Sequence, residues 1–238
     1  MGRRHPVWLR LVRIRMFIGH VAVGYAGKTL APRVSLGWLL LAATFLDVLF
    51  SLLLLFGAES VRIVPGGGRV MPLEFSYPIS HSLIAAIGWS IVVGASWYVL
   101  RGDRAGAPIL ALAVLSHWVL DFVSHRQDMP LLADGPFVGL GLWDSKGGTM
   151  AVELAMFVPA VILYTRATTA KDRVGSAAHW GLVLVLTVLY FASIFGPPPP
   201  SERAMAIGNN VGIVFLIWAW WVDRHRPIVQ GGRNEEAR

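Results

Sequence analysis

Six stretches of this chain, residues 36–56, 79–100, 107–123, 149–165, 178–195 and 205–222, are each long and apolar enough to cross the hydrocarbon layer of a membrane. About 20 residues at 1.5 Å per residue match a core roughly 30 Å thick. In lipid every backbone N–H and C=O must bond within the protein, so a chain of this kind folds as helices or as a closed barrel. Continuous apolar runs of 17 or more residues, without the alternation of barrel strands, predict helices. The expected fold is all-α: a polytopic membrane helix bundle of six spans, preceded by a short N-terminal amphipathic or re-entrant helix. Composition agrees, with 55% hydrophobic residues against 15% charged. There is no cysteine, so no disulfide framework exists and a bound metal must take nitrogen and oxygen ligands.

A net charge of +7 could suggest nucleic acid, but the basic residues lie between the apolar runs and form no stripe on a soluble domain. No direct nucleic-acid partner is expected; membrane lipid is. If the spans alternate from a cytoplasmic N-terminus, one side collects 16 of the 21 Lys and Arg. That bias places both termini in the cytoplasm and the loops 57–78, 124–148 and 196–204 outside. Residues 1–35 form a basic amphipathic or re-entrant segment, 36–223 the transmembrane domain, and 224–238 a cytoplasmic tail. A signal peptide is the weaker reading of the start, because no small-residue cleavage site precedes Lys28. The run from Ala22 to Thr29 mimics a phosphate-binding loop, but Ala22 stands where the first glycine belongs and no soluble strand precedes it. Gly and Pro in 65–68 and 131–148, with the tetraproline 197–200, suggest ordered outer loops that roof the bundle.

Ionisable groups inside a span cost about 3 kcal/mol each by insertion scales, so those that persist ask for a partner. The third span ends in Ser116-His117-Trp118-Val119-Leu120-Asp121, with His125 four residues on. At about 100° per residue, His117 and Asp121 share one helix face, and His125 lies roughly 80° from His117. An i, i+4 imidazole and carboxylate can hold one divalent ion. Asp47, flanked by Leu46 and Val48, must take up a proton or find a cation. His81 and Glu153 come early in spans entered from outside. Each has a plainer reading: His81 as an interfacial histidine, Glu153 as a carboxylate at a helix N-terminus. His20 joins them only if the N-terminal apolar segment dips into the bundle. His5, His179 and His225 sit among basic residues and read as interfacial; Asn209 and Asn210 read as interhelical hydrogen-bond formers.

Gly19-His20, Asp47, Ser80-His81-Ser82, the 116–121 segment and Gly139-Leu140-Gly141-Leu142-Trp143 together resemble a family of bacterial inner-membrane proteins described as LexA-binding, membrane-bound metal-dependent hydrolases. The likeness covers most of the chain. It implies a multi-pass protein of the bacterial inner (cytoplasmic) membrane with a metal site. The family's Pro-Asp-x-Asp is Phe45-Leu46-Asp47-Val48-Leu49 here, with one carboxylate, which leaves a second metal in doubt. The ligand order also looks like that of zinc-dependent phospholipases C, an analogy of order and not of fold.

Three functions follow as expectations. In the first, His20, Asp47, His81, His117 and Asp121 bind one or two divalent ions, Zn²⁺ foremost, and a metal-activated water hydrolyses a lipid or lipid-linked phosphoester or ester near the outer leaflet. His125 or Glu153 would shuttle protons, and Arg126 and Lys146 would hold an anionic headgroup. In the second, the same groups line an ion, proton or metal-ion route, which needs polar residues continuing to the inner face. In the third, the metal pins helices together in a structural or assembly protein.

Overall fold

The computed structural model describes residues 18–63, 73–196 and 201–229. The basic segment 1–15 with His5, the glycine-rich turn at 65–68, the tetraproline 197–200 and the end of the tail lie outside the described residues.

Nine α-helices carry the fold among those residues: α1 (Ile18–Leu30), α2 (Leu36–Ala43), α3 (Phe45–Leu55), α4 (Leu83–Arg101), α5 (Gly106–Ser124), α6 (Lys146–Ala167), α7 (Arg173–Phe195), α8 (Glu202–Val211) and α9 (Ile213–His225). Two small antiparallel pairs cover one end, β1 (Ser60–Ile63) with β2 (Leu73–Ser76), and β3 (Met129–Pro130) with β4 (Phe137–Val138). Helices α4, α5, α6 and α7, and α8 continued by α9, are long and apolar enough to cross a membrane. Helices α2 and α3 make a sixth span if counted together, and a 62° bend separates them. The chain therefore builds an all-α bundle with five helices able to span a membrane, or six with the bent pair, and by the length and composition of its helices it is a membrane protein.

Serine starts much of this structure. Ser35, Ser82, Ser145 and Ser201 accept from the backbone N–H three residues on, at the heads of α2, α4, α6 and α8, satisfying donors that a helix leaves unpaired. Asp103 and Asp172 do the same before α5 and α7, through Gly106 N–H at 2.9 Å and Gly175 N–H at 2.7 Å. Those bonds hold both carboxyls below the usual carboxylate range. Their contribution is present above the unfolded pKa near 3.9 and is lost as pH falls through the lower folded values.

Two buried apolar clusters divide the core. One joins α2, α3 and α5 to the β-pairs through Leu39, Leu46, Phe50, Val61, Val114 and Trp118; the other joins α1, α6, α7 and α9 through Tyr25, Leu40, Phe157, Tyr164 and Leu182. Helix α1 is only 13 residues long and packs inside the bundle against α2, α5 and α6. Helices α2 and α9 meet at Gly37, where a Cβ would collide with the Leu216 carbonyl and Trp220. Lipid-facing surface is plain on α4, where Ile84, Ile91, Val99 and Leu100 are exposed.

At the end opposite the β-pairs, basic groups gather as the alternation of spans requires. Lys28 bonds Asp223, Lys171 Nζ donates to the Arg224 carbonyl, and Arg226 donates to Thr168. The tail begins later than its composition suggests, because residues up to 229 are tied to the α6–α7 turn through Thr169 N–H to Pro227 O and Val229 N–H to Ala167 O.

Candidate metal centre

Four elements deliver five side chains to one point between the two clusters. His20 lies in the first turn of α1, so the N-terminal helix enters the bundle as the role of His20 demands. Asp47 comes from the first turn of α3, just past the break at Thr44. That break does two things. Thr44 Oγ1 donates back to the Leu40 carbonyl, and the chain turns by 62°, so the Ala43 carbonyl accepts from His117 Nδ1 at 2.9 Å instead of from a continuing helix. His117 and Asp121 lie on the buried face of α5. His81 was expected inside a span; it sits in the turn just before α4, whose cap is Ser82.

The five converge. Asp121 Oδ1 is 3.2 Å from His20 Nε2, and Asp121 Oδ2 is 3.2 Å from His117 Nε2 and 3.5 Å from His81 Nε2. Asp47 Oδ1 is 3.7 Å from Nε2 of both His81 and His117. The His20 and His117 rings stack at 3.9 Å. His20, Asp47 and His117 form one group with metal-holding spacing, and His81, His117 and Asp121 another.

Hydrogen bonds behind the rings decide what these distances mean. The Ala43 carbonyl can only accept, so His117 Nδ1 carries a proton, and in the neutral ring the other nitrogen, Nε2, is the lone pair that faces the carboxylates. Ser80 Oγ donates to Glu59 Oε2 at 2.6 Å, so its lone pair accepts from His81 Nδ1–H at 2.7 Å. His81 Nε2 is thereby also a lone pair. Lone pairs facing ionised carboxylates repel unless a proton or a metal ion lies between them, and His117 Nε2 is buried with no hydrogen-bond partner among the described residues. Two atoms each about 2.0–2.1 Å from a tetrahedral ion stand roughly 3.3–3.4 Å apart, which is the spacing seen here.

Glu59 and Ser80 are the residues that sequence reasoning missed in this role. Glu59 is buried and also accepts from Ile79 N–H at 2.8 Å and Ser80 N–H at 2.9 Å, fixing the turn that carries His81. The only signal was the serine flanking His81, since Glu59 lies far along the chain in a loop. Ser80→Ala should weaken metal affinity about 10–100-fold, the usual cost of removing a ligand's supporting partner, as read by competition with a chromophoric chelator. Unchanged affinity would show that the tautomer of His81 is set elsewhere.

The other expected site residues lie apart from these ligands. His125 caps the end of α5, with Nδ1 3.0 Å from Asp128 Oδ1 and its ring 4.0 Å from Trp143. Tyr77, whose phenol burial pushes well above its ordinary pKa, packs against both His125 and His81. Glu153 is fully buried two turns into α6, and its Oε1 accepts from Gly19 N–H at 3.3 Å, one residue before His20. Arg126 is partly exposed, 4.0 Å from Asp128, and Lys146 is exposed at the start of α6. His179 is buried against Thr165, and Asn210 donates within its own helix to Ala206 O; neither takes the role expected of it.

The Gly139–Trp143 segment supports the site without touching it. Leu140 N–H donates to Phe122 O and Gly141 N–H to His125 O, closing the end of α5. Gly139, at φ +155°, lies so close to the Arg126 carbonyl that no Cβ fits. Comparison with family models, curated proteins and solved structures gives no match for the chain.

Proposed function

We propose that the protein is an integral membrane hydrolase that holds one or two divalent ions, Zn²⁺ first among them, on His20, Asp47, His81, His117 and Asp121. The observation that carries this reading is the pair of buried Nε2 atoms that face two carboxylates, each ring oriented through its Nδ1 by Ala43 O or by Ser80. A bound ion of this type supplies Lewis acidity and acidifies a water to a pKa near 7, enough for ester or phosphoester hydrolysis at neutral pH. The protein's part is positional. Asp121 bridges the three imidazoles, and the Asp47 side chain, 36% exposed where the others are 5% or less, faces the space from which a substrate and water arrive. The location among spans favours a substrate that lives in the membrane, a lipid or lipid-linked phosphoester or ester. The resemblance to the bacterial inner-membrane metal-dependent hydrolases points the same way and to a cytoplasmic-membrane location, while the distribution of Lys and Arg between the loops supports both termini inside.

An ion route would need polar groups leading on from His20 to Lys28. The intervening stretch of α1 instead packs Val21, Ala22 and Tyr25 into the apolar core, which weighs against transport. A purely structural metal remains distinguishable by experiment. Zinc-loaded protein in phospholipid vesicles, given a panel of labelled phospholipids and polyprenyl phosphates, is expected to release a water-soluble product that a chelator or His81→Ala abolishes. Stoichiometric zinc with no turnover across the panel, and unfolding on zinc removal, would replace this reading with the structural one.

A further inference from the structure

We infer that substrate reaches the metal centre sideways from the bilayer, through a cleft between α2–α3 and α8–α9, and that the cleft holds a hydrocarbon chain of a membrane lipid while Asn209 holds its polar group. This rests on the hydrolase reading for its chemistry, though not for its geometry. Of the five ligand residues only Asp47 is appreciably exposed, so a molecule arriving from outside must pass it. The cleft into which Asp47 opens has Thr44 and Val48 on one wall and Asn209, Gly212 and Leu216 on the other, both at the interruptions of their spans.

The walls say what can enter. Val48 and Leu216, with Val21, Leu186 and Phe215 behind them, offer hydrocarbon and no charge apart from Asp47. A hydrated ion or a soluble phosphoester would lose its water there without replacement bonds, whereas an acyl or prenyl chain loses nothing. The helices that line the cleft, α3, α7 and α9, also carry exposed apolar side chains, Leu52, Val188 and Ile217, as lipid-facing helices do. The polar groups are few and placed at the head. Thr44 Oγ1 is committed to the Leu40 carbonyl, but the Asn209 side-chain amide has no partner among the described residues and Asn209 lines the same cleft as Asp47. An amide donor opposite a metal-bound carboxylate suits a phosphate or ester oxygen. The cleft is narrow, about 50 Å³, so a chain must part the α8–α9 wall from α3, and the one-residue interruption at Gly212 is where that wall can give.

The test uses the zinc-loaded, full-length protein in phosphatidylethanolamine–phosphatidylglycerol vesicles containing phosphatidylglycerol with a diazirine in one acyl chain. Photolysis and peptide mapping should place adducts on α3 and α9 around Val48 and Leu216, several-fold above those on the equally apolar outer face of α4. Leu216→Trp and, on the opposite wall, Val48→Trp should each remove that enrichment while zinc content by elemental analysis stays at the native value. Asn209→Leu should raise the KM for a hydrolysed lipid about tenfold with little change in kcat, the size of one lost hydrogen bond to a charged group. Adducts spread in proportion to exposure, or enrichment that both tryptophans leave intact, would overturn the lateral route. Enriched labelling in a protein that turns over nothing would instead overturn the hydrolase reading and leave the lipid cleft standing.

Discussion

An Asp121→Asn protein should fold, span the membrane and purify without its metal ion. Asp121 lies within 3.5 Å of all three imidazoles, at 3.2 Å from His20, 3.2 Å from His117 and 3.5 Å from His81. Its charge is what makes the Nε2 lone pairs of His81 and His117 tolerable beside it, through a cation held in common. Asparagine keeps the volume, and its amide can donate to one of those lone pairs, so the buried nitrogen is satisfied without an ion. The fold is therefore spared while the reason for binding is removed. Affinity should fall by more than the 10–100-fold that a lost supporting bond costs, because a ligand itself is gone. Elemental analysis of wild-type and variant protein at matched purity reads this directly, with circular dichroism as the control for folding. Native zinc stoichiometry and affinity in Asp121→Asn would mean that Asp121 is not a ligand and only pins the helices by hydrogen bonds.

How the site was legible, and how far, follows from which contacts are local. His117 and Asp121 are four residues apart on one helix, so their pairing is written in the sequence, and helix geometry alone brings it out. Asp47, His81 and His20 were legible through cost: ionisable groups set in or beside apolar runs need a common partner, and the shared depth of Asp47 and His81 said where. The bend at Thr44 was not legible. Residues 36–56 are apolar throughout, and a threonine bonding back to its own turn carries no mark that separates it from a threonine in a straight helix. Yet the bend both aims Asp47 and frees the carbonyl that fixes His117. Glu59 was hidden for a different reason. It acts through Ser80 across a loop, and a buried carboxylate in a loop looks like any exposed one until the backbone N–H groups it accepts from are known. His125 and Glu153 drew notice by position, one on the helix of the ligand pair and the other early in a span, and their side chains end beside Tyr77 and at the Gly19 N–H of α1, respectively.

At the opposite end of the bundle, Asp223→Ala should cost about 3–5 kcal/mol of stability, the price of leaving one member of a buried ion pair alone. Lys28 Nζ is 2.7 Å from Asp223 Oδ2 and 2.9 Å from the Val34 carbonyl, and both side chains are nearly inaccessible. Tyr164 donates to the other carboxylate oxygen at 3.3 Å, so four elements, α1, the α1–α2 turn, α6 and α9, meet at one ion pair. Removing it strands a nearly inaccessible ammonium with the neutral Val34 carbonyl as its remaining hydrogen-bond partner among the described residues. At about 2–4 °C per kcal/mol for a chain of this size, the unfolding midpoint in detergent should drop by on the order of 10 °C. The paired replacement Lys28→Met with Asp223→Leu should recover most of that loss, since two apolar groups of similar volume carry no desolvation cost. Zinc content should be native in both, because the site lies at the far end of α1. A single variant as stable as the wild type would show that water reaches Lys28, and that α1 is held in the bundle by the metal centre rather than from both ends.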